Sequence, residues 1–413
     1  MLSDFIRFTW LIIKSYSLSL VQPMFWVVVF LVYLQYRRTA KMEKDILGTV
    51  QYPTGERVLD SIFFGLMGGL VGSFIMVLLG VTMDQSGLEY VWPLAILLML
   101  INPRYICFSY AGGIVSLISL VFGYPHINVA GLMALVGILH LIESLLIWID
   151  GHRGRLPIFM ERRDGSIVGG FNLQRFWPIP ILMLVLYSGP FLNSGTVETP
   201  GWWPLIHFPG ATASSVFVIM NGMAALGYGD IVLTETPEER SRSSAIGLLG
   251  FSIILIVLSV LASKNMVMKY IAALFAPIGH EVLILYGRHV EDNGEPLYVA
   301  PERGMRILEV IKGGPAYKMG LKPGDTILNI NGESVNNETD LRNFLYNMTS
   351  HIYVNSVNPD GVTRTSEYTD HEGISHLGIL FVPKNEPPAF TVAEAPSLLS
   401  RIFNSITHKL GHH

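Results

Sequence analysis

Long stretches without a charged residue constrain this chain more than any other feature. Residues 61–83 contain no charged side chain. At 1.5 Å of rise per helical residue, this stretch is long enough to cross the ~30 Å hydrocarbon core of a bilayer. Half of the whole sequence is hydrophobic and only 15% is charged, which is unlike a water-soluble domain. We therefore expect most of the chain to be α-helical and to lie in a membrane.

Further apolar stretches are long enough, or nearly so, to cross a membrane as helices. They lie at residues 20–36, 90–101, 106–124, 127–149, 176–192, 211–226 and 244–262. Tryptophans near their ends fit the headgroup layer, which favours amphipathic rings. The sequence thus predicts an α-helical polytopic membrane domain over residues 19–265 with about 6–8 spans. An interfacial segment at residues 1–18 precedes it, and a linker helix at residues 266–286 follows.

Lysine and arginine in the loops predict the orientation of this region, because basic loops resist translocation. Two loops are expected in the cytoplasm because they carry Arg37, Arg38, Lys41, Lys44 and Arg57, or Arg153, Arg155, Arg162, Arg163 and Arg175. Loops without either residue type, which we expect outside, lie at residues 84–89, 123–126 and 193–210. The side of the N-terminus is left open.

The segment at residues 211–226 decides where the C-terminal part of the chain emerges. If this segment crosses the membrane fully, the C-terminal part lies outside. If it dips in and returns, the C-terminal part is cytoplasmic. Lys264 and Lys269 follow the last long apolar stretch and favour the cytoplasmic side.

A different kind of sequence begins near residue 304, where turn signals alternate with short apolar runs. Residues 307–310 are a β-prone run, and Pro315 fits the first position of a short helix. The dipeptide Asn331-Gly332 favours a tight hairpin. Helical spacing returns at residues 337–348. Together these signals predict a small antiparallel β-sheet capped by two helices, which is an α+β domain.

This region resembles a PDZ domain of the bacterial type. The pattern of such domains is P-A-x-x-x-G-L-x-x-G-D-x-I-x-x-I-N-G, preceded by a glycine and a valine. This sequence matches it at Gly304, Val310, Pro315, Ala316, Gly320, Leu321, Gly324, Asp325, Ile327, Ile330, Asn331 and Gly332. The resemblance covers residues 287–385 and leaves residues 386–413 as a C-terminal tail. It implies β-augmentation, in which an extended peptide or a partner's C-terminus adds a strand to the sheet.

The resemblance also implies which residues bind the peptide. The bound strand is expected beside Arg303, Gly304, Met305, Arg306, Ile307 and Leu308, with backbone N–H groups near Arg303-Gly304 holding a terminal carboxylate. The opposing helix is expected to present Leu341, Phe344 and Leu345. A PDZ fold that only spaces or stabilises, and binds nothing, is the alternative at this point.

The segment at residues 227–230, with the sequence GYGD, suggests a second kind of function. It resembles the potassium-channel signature T-V-G-Y-G-D, in which backbone carbonyls replace the hydration shell of the ion. An apolar segment precedes it and a long apolar stretch follows it, as in a channel. However, Ala225 and Leu226 stand where that signature has threonine and valine. The alternative is a glycine-rich turn at the end of a span.

A third possibility is a degenerate membrane metalloprotease. Gly279-His280-Glu281 resembles the start of the HExxH zinc motif, which occurs together with PDZ domains in intramembrane metalloproteases. Ile284 stands where the second histidine of that motif is needed, so the two-histidine helix face cannot form. We therefore expect no catalytic residue, no metal ligand and no cofactor.

His140 and Glu143 are ionisable residues one helical turn apart in a predicted span. Such groups suggest either a proton or ion route or a buried contact between spans, and we favour the contact. Arg104 is a possible partner for them. Cys107 is the single cysteine of the chain, which excludes an intrachain disulfide.

The order of parts, a polytopic membrane region followed by one PDZ domain, resembles the MinJ family of Gram-positive cell-division scaffolds. The resemblance implies a place at the cell pole or septum, and partners of the DivIVA and MinD types. We interpret the chain as a non-enzymatic scaffold in the bacterial cell membrane, multi-pass, with a cytoplasmic PDZ domain that binds protein C-termini or extended peptides, and with no nucleic acid as a partner. The channel-like pore and the degenerate metalloprotease are the alternatives.

Overall fold

A computed structural model describes residues 2–162, 165–187, 203–206, 212, 215–346 and 350–384. The helices of its first part are α1 (Leu2–Leu18), α2 (Pro23–Leu47), α3 (Thr54–Leu79), α4 (Leu88–Ile101), α5 (Phe108–Phe122), α6 (Val129–Asp150), α7 (Pro237–Ala262) and α8 (Met266–Asn293). Three strands lie between α6 and α7, namely β1 (Arg155–Glu161), β2 (Ile167–Tyr187) and β3 (Val216–Val232). The predicted tail at residues 386–413, Arg163 and the loop at residues 193–202 lie outside the described residues.

Several helices have the length and composition of membrane spans. In the described part of the chain these are Thr54–Leu79, Val129–Gly154, Pro237–Ala262 and Met266–Asn293, and a fifth is formed if the bent pair Ile6–Val21 and Pro23–Leu47 counts as one span. The segment expected as a linker helix is thus part of a span-length helix, which continues past the predicted start of the PDZ domain at residue 287. Helices α4 and α5 are shorter.

The predicted spans at residues 176–192 and 211–226 are not helical where the structure describes them. Residues up to Tyr187 belong to β2, and residues from Val216 belong to β3. These two strands pair with each other in antiparallel register along the whole of β3. Pro178 and Pro180 disfavour a helix in the first of these two segments, because a proline inside a helix costs about 3 kcal/mol and removes a backbone donor.

Pro178 and Pro180 fit on the outer edge of β2, which is the edge opposite β3. On this edge the N–H of Phe176 donates to the Tyr36 hydroxyl at 3.0 Å, and the N–H of Leu182 donates to Ser73 Oγ at 3.0 Å. Further along, the N–H groups of residues 184 and 186 donate to the Val81 carbonyl and to Asp84 Oδ2. Pro178 and Pro180 occupy the two alternate positions in between, where no N–H is left to satisfy. In an apolar environment each backbone N–H needs an acceptor, and these positions of β2 meet that requirement.

Helix α3 packs against its neighbours through small residues. A Cβ atom at Gly65 or Gly69 would lie 2.3 Å from the carbonyl oxygen of Pro178 or Pro180 in β2. A Cβ atom at Gly72 would meet the Ile142 side chain of α6. Small residues four positions apart let a backbone approach this closely, as they do between membrane helices. The glycines of α3 therefore fix where β2 and α6 lie.

The C-terminal part of the described chain is a small sheet with two short helices. Its strands are β5 (Met305–Val310), β6 (Thr326–Ile330), β7 (Glu333–Ser334), β8 (His351–Val357), β9 (Thr363–Thr369) and β10 (Ile379–Phe381), and its helices are α9 (Pro315–Lys318) and α10 (Glu338–Tyr346). The strand order is β10-β5-β6-β8-β9, with β7 paired to β6. The predicted antiparallel sheet capped by two helices is confirmed.

The short strand β4 (Tyr298–Val299) belongs to the other sheet, since it pairs with β2 at residues 168 and 169. Leu308 and Val382 of the C-terminal domain are buried in the same apolar core as β2 and the membrane helices. Ile307 and Phe381 are buried instead in the domain's own core. The sheet of the C-terminal domain thus packs one face on its own core and the other on the strand layer beside the helices.

Candidate peptide-binding groove and buried polar cluster

The predicted bound strand beside Met305–Leu308 has no free edge to add to. Strand β5 pairs with β6 at Met305 and Arg306 and with β10 at Ile307 and Val310. An added strand needs a row of unpaired backbone groups, so it cannot join the sheet beside β5 without displacing a neighbour. The predicted binding strand β5 is therefore an inner strand of the sheet.

The residues before β5 do not offer the predicted carboxylate site either. Gly304 has a φ of +81°, and its N–H already donates to Asn336 Oδ1 at 2.8 Å. Arg303 is exposed, whereas Met305 and Ile307 are buried in the core of the domain. Arg306 donates to the carbonyl of Leu297. These residues hold the domain together rather than facing a ligand.

Strand β10 is the edge strand next to β5. The Ile311 N–H donates to the Gly378 carbonyl, and the Val382 N–H donates to the Arg306 carbonyl. Because antiparallel partners alternate, the N–H and C=O of Ile379 face away from β5. Ile379 is half-buried against the same core as the three predicted helix residues, Leu341, Phe344 and Leu345. An edge strand and an apolar helix face therefore pack on one core, and we take the region between β10 and α10 as the candidate groove.

An ion pair joins the C-terminal domain to β1. Arg155 Nε lies 3.0 Å from Glu309 Oε2, and the Glu309 side chain is almost fully buried. Burial raises the pKa of the Glu309 carboxyl, and the nearby Arg155 guanidinium offsets part of that rise. Burial also raises the pKa of Tyr298, in the adjoining strand β4, to about 12. An unpaired charge in this contact region would therefore be destabilising.

Within the helical region, the structure brings together three residues that are far apart in sequence. Cys107 Sγ lies 3.0 Å from His140 Nε2 and 3.7 Å from His280 Nε2. The three atoms all lie within 4.8 Å of one another. His140 is on α6, His280 is on α8, and Cys107 directly precedes α5 as its N-cap residue. We call these three side chains the polar cluster.

The neighbours of the polar cluster orient both imidazoles. His140 Nδ1 lies 2.8 Å from the Val136 carbonyl oxygen, and His280 Nδ1 lies 3.4 Å from the Tyr110 hydroxyl. Tyr110 in turn donates to Glu281 Oε2 at 2.5 Å. Arg104 Nη2 forms an ion pair with Glu281 at 2.8 Å. Arg104 is therefore paired with Glu281, and not with His140 or Glu143 as its position in the sequence suggested.

The GYGD segment lies in β3 and is not a loop around a pore. Its residues Gly227, Tyr228, Gly229 and Asp230 pair with residues 173–176 of β2. The Asp230 carboxylate accepts from Arg240 Nε at 2.8 Å. In a channel filter, the carbonyls must instead line an ion path. The arrangement of this strand does not fit the channel alternative.

The sequence does not reveal the polar cluster, because each of its members suggests a different role. Cys107 raises the question of a disulfide, His280 belongs to a partial zinc motif, and His140 suggests a proton route. The detectable signal is the presence of two good metal ligands, Cys107 and His140, within predicted spans, where polar side chains are rare, and of a third, His280, in the predicted linker helix. Their separation in sequence hid the fact that they meet.

Comparison with known proteins agrees with this architecture. The PDZ domain family matches residues 306–352. The chain is therefore a helical, membrane-type protein that carries a PDZ domain. It is similar to the cell division topological determinant MinJ of Bacillus subtilis (strain 168), with 24% identity over 253 residues, which are 60% of each chain.

Other relatives extend the comparison. The probable cell division topological determinant MinJ of Lacticaseibacillus paracasei is 25% identical over 264 residues, or 62% of this chain and 67% of that relative. A putative zinc metalloprotease of Borreliella burgdorferi is 30% identical over 107 residues, or 26% of this chain and 24% of that protein. The crystal structure of the PDZ domain of an SdrC-like protein from Listeria monocytogenes is 18% identical, covers 20% of this chain and 90% of that domain, and gives a TM-score of 0.18. The predicted likeness to MinJ is confirmed.

Proposed function

We propose that this chain is a multi-pass membrane scaffold that recruits a partner polypeptide at its PDZ domain and takes part in placing the division site. The partner adds a strand to β10, and its side chains enter the groove in front of α10. The chain carries out no reaction of its own in this role. The peptide-binding residues proposed here are Ile379 on the strand side and the originally predicted Leu341, Phe344 and Leu345 on the helix side.

The observation that carries this proposal is that, among the described residues, no strand pairs with the outer edge of β10, which packs on the same core as the half-buried apolar face of α10. Strand addition uses main-chain hydrogen bonds for affinity and side-chain pockets for specificity. The edge offers the N–H and C=O of Ile379 for the first purpose. Leu341 and Leu345 of α10 provide an apolar wall for the second.

Contacts between the basic loops and the PDZ domain support a cytoplasmic location for this domain. Lys312 of the domain donates its N–H to Gln51 Oε1, in the loop after the basic end of α2. Arg155 and Arg162, from the second basic loop, contact Glu309 and the carbonyl of Gly294. Because basic loops stay in the cytoplasm, a domain held against both loops belongs on that side.

The loops that lack lysine and arginine support the same orientation. The Asn128 N–H donates to the Gln85 carbonyl at 2.7 Å, so two of these loops meet. Strands β2 and β3 form an antiparallel pair, so the chain returns to the side from which β2 started. Lys264 lies in the turn between α7 and α8, and α8 is long enough to bring the chain back. Lys264 therefore does not support the cytoplasmic location of the PDZ domain. The contacts of the basic loops support it instead.

A role in division-site placement is supported by the two relatives whose names describe that role. The matched stretch spans about 60% of the Bacillus subtilis relative. We keep proteins of the DivIVA and MinD types as the proposed partners.

The proposal can be tested with the full chain in lipid nanodiscs and an array of peptides that end in free C-termini. We expect selected peptides whose affinity falls at least tenfold in Leu341→Ala and Leu345→Ala, because each loses apolar contact at the groove. Arg342→Ala is the matched control, since this side chain is exposed on the same helix. Ile379→Pro removes the outward N–H and should weaken every selected peptide.

Two outcomes would contradict the proposed groove. The first is a folded wild-type chain that selects no peptide. The second is a set of selected peptides whose affinities are unchanged in Leu341→Ala, Leu345→Ala and Ile379→Pro, when circular dichroism shows all the variants to be folded.

A further inference from the structure

We propose that Cys107, His140 and His280, the polar cluster, bind a transition-metal ion of the zinc class inside the helical region. Thiolate and imidazole are the ligands that zinc prefers in proteins. The three side chains come from three different elements and meet at one point. This proposal is independent of peptide binding at the PDZ domain.

The Nδ1 hydrogen bonds of the two histidines fix which ring nitrogens could bind an ion. The nitrogen His140 Nδ1 faces a carbonyl oxygen, which can only accept, so it carries the proton and Nε2 has a lone pair. Tyr110 gives its proton to Glu281, so its oxygen accepts from His280 Nδ1, and Nε2 of His280 also has a lone pair. Both lone pairs lie next to the sulfur of Cys107. The Ser109 hydroxyl lies 3.2 Å from His140 Nε2, so an ion would displace that hydrogen bond.

The distances are close to those of a bound ion. Zinc–sulfur and zinc–nitrogen bonds of about 2.3 and 2.0 Å, at tetrahedral angles, place ligand atoms roughly 3.5 Å apart. The two sulfur–nitrogen distances of 3.0 and 3.7 Å lie on either side of that value. The two histidine nitrogens lie within 4.8 Å of each other, and rotation of the side chains would bring them to the roughly 3.3 Å that a tetrahedral ion requires.

An outer set of polar groups supports the same three ligands. Arg104 is paired with Glu281, Glu281 accepts from Tyr110, and Tyr110 accepts from His280. Metal-binding histidines usually donate their second N–H to such a partner, which fixes the ring and its tautomer. Cys107 lies at the N-terminus of α5, where the helix dipole favours the anionic thiolate. The arrangement therefore favours a charged ligand set.

Three protein ligands leave a fourth coordination position. Glu143 lies one helical turn after His140 on α6. When ionised, its carboxylate would help to balance the charge of a divalent ion. The bound ion would link the start of α5, the middle of α6 and α8. Since α8 leads directly into the PDZ domain, the ion would hold the helix from which that domain extends.

Metal analysis of the purified full chain tests the proposal. The protein should be made in zinc-supplemented cells and purified in detergent with a tag that contains no histidine. We expect about one zinc ion per chain, as for a single three-ligand site, and a loss of at least fivefold in Cys107→Ser, His140→Gln and His280→Gln. The control His289→Gln should retain the ion, because His289 is on the same helix α8 but contacts Asn293 instead.

Thiol chemistry gives a second readout on the unaltered chain. Because the chain has one cysteine, alkylation by a maleimide reports on Cys107 alone. We expect bound zinc to slow alkylation at least tenfold and a chelator to restore the rate. Cobalt in place of zinc should give a thiolate-to-metal absorption band.

A hydrogen-bonded thiol–imidazole network without metal is the outcome that would overturn the proposal. In that case the folded wild-type chain carries no stoichiometric metal after zinc supplementation. Its cysteine then reacts at the same rate with zinc and with chelator. Peptide binding at the PDZ groove would be measured separately and would be expected to persist.

Discussion

Arg155 of β1 and Glu309 of β5 form an ion pair at 3.0 Å that links the membrane-adjacent strand layer to the PDZ domain. The carboxylate is buried and the guanidinium is one-third exposed. The two partners therefore differ in what their removal does. Loss of the arginine leaves a buried charge, whereas loss of the carboxylate leaves an arginine that can turn to solvent.

A double-mutant cycle would measure this asymmetry. We expect Arg155→Gln to lower the free energy of unfolding by about 1–3 kcal/mol, less than for a fully buried pair because Arg155 is partly solvated. Glu309→Gln should cost less, and the double variant should resemble Glu309→Gln alone. The measurement is the thermal midpoint in detergent at one fixed scan rate, with Arg303→Gln as an exposed-arginine control. Equal losses in the two single variants would contradict the expected asymmetry.

The raised pKa of Glu309 predicts a pH dependence with a definite sign. Because the folded-state pKa lies above the ordinary value of 4.5, the native state binds more protons than the unfolded state between those two values. Stability from this group therefore falls as pH rises through that window. Acidification from neutral pH should raise the thermal midpoint of the wild type relative to Glu309→Gln. A midpoint difference that is constant, or that changes in the other direction, would show that burial does not dominate at this carboxyl.

Glycines on α3 should tolerate substitution very unequally. Gly69→Ala places a Cβ atom 2.3 Å from the Pro180 carbonyl oxygen, and Gly65→Ala does the same at Pro178. A backbone oxygen cannot rotate away, so we expect each to lower the free energy of unfolding by about 1–3 kcal/mol or more. Gly55→Ala, on the same helix with no atom within 4 Å, should be neutral or stabilising. Folded yield and thermal midpoint in detergent provide the test, and comparable behaviour of all three variants would rule out the close packing of β2 on α3.

The Gly229→Ala variant tests whether this segment is the observed strand or a channel filter. A Cβ atom at Gly229 has only the Leu173 carbonyl oxygen nearby, at 3.8 Å. We therefore expect the variant to keep the wild-type free energy of unfolding to within about 0.5 kcal/mol, which the thermal midpoint would report as nearly unchanged. Gly227→Ala, where a Cβ atom would meet the Phe176 ring at 3.0 Å, serves as the tighter control. Potassium flux into liposomes that is present in the wild type and lost in Gly229→Ala would favour the channel.

The helices of the membrane region and the PDZ domain were predictable because their signals are local. An uncharged stretch of sufficient length defines α3, and turn residues at fixed spacing define the PDZ sheet. The β2–β3 pair was not predicted because a buried strand and a membrane helix can both be uninterrupted apolar runs. Pro178 and Pro180, two positions apart, were the available sign that the first of these runs is not a helix.

Sites that depend on long-range contacts were harder to predict. The pattern around residues 304–335 identifies strands, but the order of strands in a sheet is not a local property. The local pattern therefore places the binding strand at β5, whereas the described sheet has β10 at its edge. The members of the polar cluster are distant in sequence, with Cys107 and His280 separated by 173 positions. No periodicity or spacing rule relates residues that far apart.

Strand β10 takes part in two contacts at once. Its outward edge borders the groove, while Leu380 and the adjoining Val382 pack against the core of the membrane region. If a polypeptide bound along that edge changes how firmly the domain is held, thermodynamic linkage requires the converse as well. A change in how firmly the domain is held then alters the affinity for the polypeptide by the same factor. Recruitment at the PDZ domain would thereby report on the state of the helices within the bilayer.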